Sequence, residues 1–258
     1  VLLVLAEPGD AVAAAVAGRL GGAARWFTPL DLAAGRWTHR PDGATTLRTA
    51  SERIEFADAR GVLNRVRWLP LVGFRSRADR EYAAMERQAL LTSVLAGLAG
   101  PVVNPVRPPS LSGPALTTAG WLALAARCGL PVAAMLATTD GRRWPGSGRD
   151  PAGWRAVFEH DVPETGWPAM LPVGRRPVVW AEPVVPAGRA VVVGGSVHGG
   201  SGGLAEGCRT LSQASGCPLL EVRLGRADDG RTVVTGADPL PQELPPAAVD
   251  ALVELVSP

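Results

Sequence analysis

Every basic side chain of this 258-residue protein, histidine aside, is an arginine: there are 26, and no lysine occurs. A guanidinium is a planar fork of donors that grips carboxylates and phosphates in pairs and does not give up its proton. Any mechanism that needs a side-chain ammonium is therefore excluded. The accompanying abundance of Ala, Gly, Pro and Val is what a very GC-rich genome produces, and explains most of the lysine loss. Arg142, Arg143 and Arg149 are close enough in sequence to hold a phosphate, although a Gly- and Pro-rich setting marks them as solvated loop arginines. Arg189 differs, because it interrupts an apolar run and its head must find a carboxylate, a ligand or solvent; a structural salt bridge and a functional role stand level. His39, His160 and His198 show no metal-ligand spacing. Cys128, Cys208 and Cys217 show none either; an odd number of isolated cysteines reads as small core hydrophobes in a reduced, cytoplasmic protein. The run Gly194–Gly203 resembles a phosphate loop only in its glycines, lacks Walker spacing and lysine, and is expected to be a flexible surface loop.

Composition narrows the setting. Hydrophobic residues make up 47%, enough for a sizeable core, and a formal charge of +2 leaves no electrostatic footprint for nucleic acid. No apolar run approaches the ~20 residues that span a bilayer, so no membrane association is expected.

The elements that must position these groups alternate between strand and helix. A buried strand over 1–5 runs into the turn Glu7-Pro8-Gly9-Asp10, whose aspartate caps a helix over 11–20 with Val12, Val16 and Leu20 on one face, a βα unit of a parallel sheet. Strands are predicted around Ile54 and Phe56, over 62–68 and at Val102-Val103. The strand at 62–68 should neighbour those at 1–5 and 102–103 in one sheet. A long helix over 77–98, with Tyr82, Met85, Ala89, Thr92 and Leu95 along one side, should pack across it. The proline-rich stretch 106–114 marks a boundary. Beyond it come a helix over 115–127, a strand over 131–138 and a difficult Gly/Pro/Trp/Arg segment, 140–176, with one strand near 154–158. Strands follow over 178–185, 189–197, 218–224 and 232–235, the last two around a hairpin turn at Asp228-Asp229-Gly230, with helices over 205–215 and 246–256.

Two stretches carry a resemblance. Asn64-Arg65, Asp79 to Glu86, Pro101-Val102-Val103-Asn104 and Gly129-Leu130-Pro131-Val132 form the first; Glu182-Pro183-Val184-Val185-Pro186 with Gly188-Arg189-Ala190-Val191-Val192-Val193-Gly194 forms the second. In order and spacing they are similar to the peptide-modifying ATP-grasp ligases, the group of ribosomal-protein glutamate ligases and graspetide synthetases. The resemblance implies an α/β fold of ATP-grasp type: a Rossmann-like N-terminal domain over 1–105, a reduced middle or lid segment over 106–176, and an α+β grasp domain over 177–258. It implies a nucleotide edge at the hinge residues Glu182 and Val184. It also implies a phosphate- or intermediate-orienting role for Arg189, and Mg²⁺ ligation by Glu221 and Asp238.

The departures matter as much. The lysines with which that family neutralises phosphates are missing. The bridging metal ligand falls at Gly236, which has no side chain. Two carboxylates form at best a weak Mg²⁺ site; otherwise Glu221 faces solvent and Asp238 starts an Asp-Pro turn. The expectation is therefore a degenerate, non-catalytic homologue that binds no cofactor and recognises a partner protein or peptide. The alternative is an active ligase that uses ATP and Mg²⁺ and holds phosphate with arginine. Trp144, Trp154 and Trp167, interleaved with arginine, have the composition of a recognition surface, or else fill a small core.

Overall fold

A computed structural model describes residues 1–40, 44–107, 110–138, 155–157, 178–200 and 203–257. The chain begins with β1 (Leu2–Leu5), α1 (Ala11–Leu20), β2 (Ala24–Phe27) and α2 (Pro29–Ala34). Asp10 accepts the Ala13 N–H at 2.9 Å, and Thr28 with Asp31 forms a capping box, so each helix starts where a short polar side chain satisfies its first free donors. Next come β3 (Arg36–His39), β4 (Thr45–Arg48) and β5 (Arg53–Glu55), an antiparallel three-stranded sheet, then β6 (Gly61–Asn64), α3 (Arg77–Ala96) and β7 (Val102–Val103).

Strands β2-β1-β6-β7 form one sheet, parallel throughout. As expected, the first strand, the strand near 62 and Val102-Val103 are neighbours. A parallel sheet is buried on both faces, which is why β1 reads as an unbroken apolar run rather than an alternation. Leu3, Leu5 and Val62 point to one core with Phe27, Leu47 and Phe56; Val4, Leu63 and Val103 point to another with Val12 and Val16 of α1.

Two expectations for this half are corrected. The strand predicted over 62–68 ends at Asn64, because the chain then turns so that Arg65 and Arg67 reach the loop after the last strand. Helix α3 forms, but its buried side chains are Leu91, Val94 and Leu95, whereas Tyr82 and Met85 are more than 60% exposed. Its first three turns carry no large aliphatic stripe, so only the C-terminal third packs on the core.

The second half holds α4 (Thr118–Arg127), β8 (Met135–Thr138), β9 (Arg155–Val157), β10 (Val178–Ala181), β11 (Val184–Val193), β12 (Ser196–Gly199), α5 (Ala205–Ser215), β13 (Leu219–Ala227), β14 (Thr232–Asp238) and α6 (Pro246–Val256). Strands β8-β10-β9 form a small antiparallel sheet, and β12-β11-β13-β14 a larger one. The single strand predicted over 178–185 is two: the chain leaves the small sheet at Glu182-Pro183 and enters the large one at Val184. Residues 194–199 are not a flexible loop. Gly194 (φ 61°) and Gly195 turn β11 into β12, and Gly199 lies so close to the Arg189 carbonyl that an added Cβ would stand 2.7 Å from it. Trp144, Trp154 and Trp167 lie outside the described residues, as does most of 140–176.

One face of the large sheet (Ala190, Val192, Leu220, Val222, Leu224) packs on α4 and α5 through Trp121, Leu122, Cys208 and Leu211. The other carries Val191, Val193 and Leu219, which join α1 and α6 in the core beneath the parallel sheet. All three cysteines are free, and Cys208 and Cys217 are buried among apolar side chains. No helix among the described residues is long and apolar enough to cross a membrane.

Candidate functional site

The face that is apolar at Val191, Val193 and Leu219 becomes charged further along the same strands. Arg189 pairs with Arg223 across β11 and β13, Glu221 with Asp238 across β13 and β14, and Arg223 with Gly236. Strand alternation puts all five on one side. The resemblance singles out Arg189, Glu221 and Asp238 separately, and the sheet places all three on one face.

Each carboxylate is already engaged. Arg189 Nη1 donates to Glu221 Oε2 at 3.1 Å, and its Nη2 lies 3.6 Å from Glu243 Oε2. Glu221 is 12% exposed, so it does not simply face solvent. Asp238 Oδ1 accepts the Leu240 N–H at 2.8 Å, the turn-starting bond expected of it, while Arg67 Nη2 stands 3.8 Å from Oδ2. Over Gly236 lies the Arg223 guanidinium: a Cβ there would be 2.9 Å from Nη2 and 3.4 Å from Cζ and Nε. Three guanidiniums (Arg67, Arg189, Arg223) and three carboxylates (Glu221, Asp238, Glu243) thus gather here: Arg189 pairs with Glu221 and Glu243, and Arg67 with Asp238. Sequence reading missed Arg67, Arg223 and Glu243. For Arg223 a signal existed, since the apolar alternation Leu220-Val222-Leu224 puts Glu221 and Arg223 on the same face. Arg67 and Glu243 arrive by tertiary contact alone.

Glu182 and Val184 share no hydrogen bond or ion pair with this group among the described residues. Glu182 donates its N–H to the Ala134 carbonyl at 3.0 Å, extending the β8–β10 ladder by one step, and its Oε1 is buried with no hydrogen-bond partner among the described residues. Val184 pairs with Ala227 at the start of β11.

Beneath the charges runs a polar seam built from the very residues that carry the first stretch of the resemblance. Arg65, with a 2% exposed side chain, donates Nε to Asp10 Oδ2 and Nη2 to the Pro241 carbonyl, both at 2.7 Å. Asn104 Nδ2 donates to the Pro239 carbonyl, and Asn104 Oδ1 accepts the Leu219 N–H at 3.0 Å. Asn64 Nδ2 donates to the Asn104 and Leu111 carbonyls. The Arg65 and Asn104 bonds fasten the ends of β6 and β7 to the larger antiparallel sheet and the loop that leaves it.

Mg²⁺ wants oxygen ligands with free lone pairs in near-octahedral array, and among the described residues no three His, Cys, Asp or Glu side chains converge to hold a metal. Glu221 Oε2 is held by Arg189, and Asp238 by the Leu240 N–H and Arg67. The fit to a metal is poor.

By sequence, no family model and no curated protein matches the chain. Solved structures do resemble it over its whole length. The macrocyclase MdnC from Microcystis aeruginosa MRC, bound with precursor peptide MdnA, superposes with a TM-score of 0.73 at 12% identity, covering 99% of both chains. The ATP-grasp ligase PsnB, complexed with a minimal precursor, Mg and ADP, gives 0.70 at 18% identity, covering 100% of this chain and 98% of that one. A RiPP-associated ATP-grasp ligase from Chryseobacterium gregarium, in complex with ADP and a leader and core peptide, gives 0.66 at 10% identity, covering 99% and 96%. At such identities the likeness is one of architecture, and the chain has the α/β fold of the ATP-grasp ligases.

Proposed function

We propose that this chain is an ATP-grasp homologue that has lost the ligase reaction and works by binding a peptide or partner protein. The observation that carries this reading is the engagement of Glu221 and Asp238 by Arg189 and Arg67 in a chain without lysine. Phosphoryl transfer depends almost wholly on positioning and on positive charge held against the phosphates. Here the positive charge beside the carboxylates is spent on those carboxylates. Peptide recognition needs none of that chemistry, and structures of the same fold have been solved with precursor peptides bound. In this reading the chain divides into a Rossmann-like part over 1–105, a middle segment over 106–176 that supplies partner contacts, and a grasp part over 177–258.

One observation favours a second reading. Arg189, Glu221 and Asp238 still share one face of the sheet, and a protein of this fold has been solved with Mg and ADP. An active ligase would hold the adenine edge at Glu182 and Val184 and the phosphates with arginine. Thermal melting with millimolar Mg-ATP decides between them. The proposed function expects no shift. Saturation at a hundredfold over the dissociation constant would add about 2.7 kcal/mol, and such a gain, lost in Arg189→Ala, would overturn the reading in favour of the ligase.

A further inference from the structure

We infer that the Arg223 guanidinium is a built-in cation occupying the place that a divalent metal ion takes in an ATP-grasp site, so that the carboxylates of this face are neutralised by protein alone. Three observations converge. The first is steric. The guanidinium lies over Gly236, with Nη2, Cζ and Nε all within 3.4 Å of where a Cβ would stand, so a side chain at 236 requires Arg223 to swing aside. The missing ligand at 236 and the arginine above it are two halves of one arrangement.

The second is the use of lone pairs. Asp238 gives one oxygen to the Leu240 N–H and turns the other toward Arg67, and Glu221 gives Oε2 to Arg189. A hard cation would have to displace these partners before it could be bridged.

The third is electrostatic. Arg189 and Arg223 are direct cross-strand partners, an arrangement of like charges that is unfavourable by itself. Arg189 is compensated by Glu221 and Glu243, but the Arg223 guanidinium makes no hydrogen bond or ion pair among the described residues. Glu221 and Asp238, the carboxylates that the resemblance assigns to a metal, share its face of the sheet. A divalent ion entering would meet three guanidiniums at close range.

The inference goes beyond the proposed function, because it concerns the metal and holds whether or not nucleotide binds. Its test is titration of the protein without nucleotide by Mn²⁺, with the free ion followed by electron paramagnetic resonance. Four proteins are compared: wild type, Gly236→Glu, the double variant Arg223→Ser/Gly236→Glu, and Arg223→Glu. Wild type and Gly236→Glu should leave Mn²⁺ free, since a glutamate at 236 pairs with Arg223. The double variant should bind about tenfold more tightly or better. Arg223→Glu, which leaves the crowded position 236 untouched, should bind as well, and melting curves establish that each variant is folded. Wild type or Gly236→Glu binding as tightly as the double variant would overturn the inference, and so would failure of both Arg223-replaced proteins to bind. Neither result would bear on nucleotide-dependent melting, which tests the proposed function separately.

Discussion

Asp10 serves two elements at once. It caps α1 through the Ala13 N–H and pairs with Arg65, whose side chain is almost wholly buried and whose Nη1 has no hydrogen-bond partner among the described residues. Loss of an N-cap costs about 1 kcal/mol, and removing one partner of a buried ion pair costs about 3–5 kcal/mol because a charge is left stranded. Asp10→Ala should therefore lose more than a cap alone, on the order of 4 kcal/mol by denaturant melts. Arg65→Met added to it should recover part of that loss, and a purely additive double variant would show that the pair is not coupled. Asp10 is a residue whose local task was legible and whose larger task was not. Its capping role follows from its place before an apolar-periodic segment; its partner lies 55 residues away and is fixed by sheet register. The charged face divides the same way. Arg189, Glu221 and Asp238 were reachable through order and spacing of motifs. Arg67 needed the turn after β6 to be known, and Arg223 over Gly236 needed the β13–β14 register, which shifts by one residue between Arg223 and Leu224.

Among the elements, those with chemical punctuation were legible to the residue. Helices α1, α5 and α6 span the predicted bounds because Asp10, Gly216 in the left-handed region and Pro246 at the first turn mark where helical hydrogen bonding starts or stops. Strands fared less well where prolines and glycines belong to the strand itself: β11 runs through Pro186 and Gly188 with a bulge between them, which reads in sequence as a break. Of the sheet β3-β4-β5 only the strand at Ile54 was expected; β3 and β4 escaped notice because each is four residues long and carries an exposed arginine, Arg36 or Arg48. Helix α3 shows the limit of periodicity: it detects a helix without showing which part of it is covered. Tyr82 and Met85 face solvent, so Tyr82→Ser with Met85→Ser should change stability by no more than about 0.5 kcal/mol per site. Leu91→Ala, at a position 1% exposed, should cost about 2–5 kcal/mol. Equal losses in the two variants would mean that the N-terminal turns of α3 are packed after all.

At the scale of the whole molecule, the first and second halves of the chain do not keep separate cores. Val4, Val12 and Val16 share one cluster with Val191, Val193, Leu219, Val249 and Leu252, so α6, the last element, completes the core begun by β1 and α1. Arg19 and Asp250 add an ion pair between α1 and α6, and the seam of Asn64, Arg65 and Asn104 binds the strand ends of one sheet to the loop leaving the other. A chain of this length ordinarily splits into domains that unfold independently when the interface between them is small. Here the shared surface is a core rather than a contact, and unfolding either half strands apolar side chains and buried polar groups of the other. The described part of the molecule should consequently unfold in one calorimetric transition. Leu252→Ala, which removes a side chain with no exposed surface from the middle of that cluster, should cost about 2–5 kcal/mol and lower the whole transition. Two resolved transitions, only one of them moved by Leu252→Ala, would show that the halves are coupled too weakly for the cluster to act as one core. A rigid joint of this kind suits a scaffold that keeps its charged face in a single arrangement, since opening that face would mean breaking Arg67 from Asp238 and Arg65 from the Pro241 carbonyl.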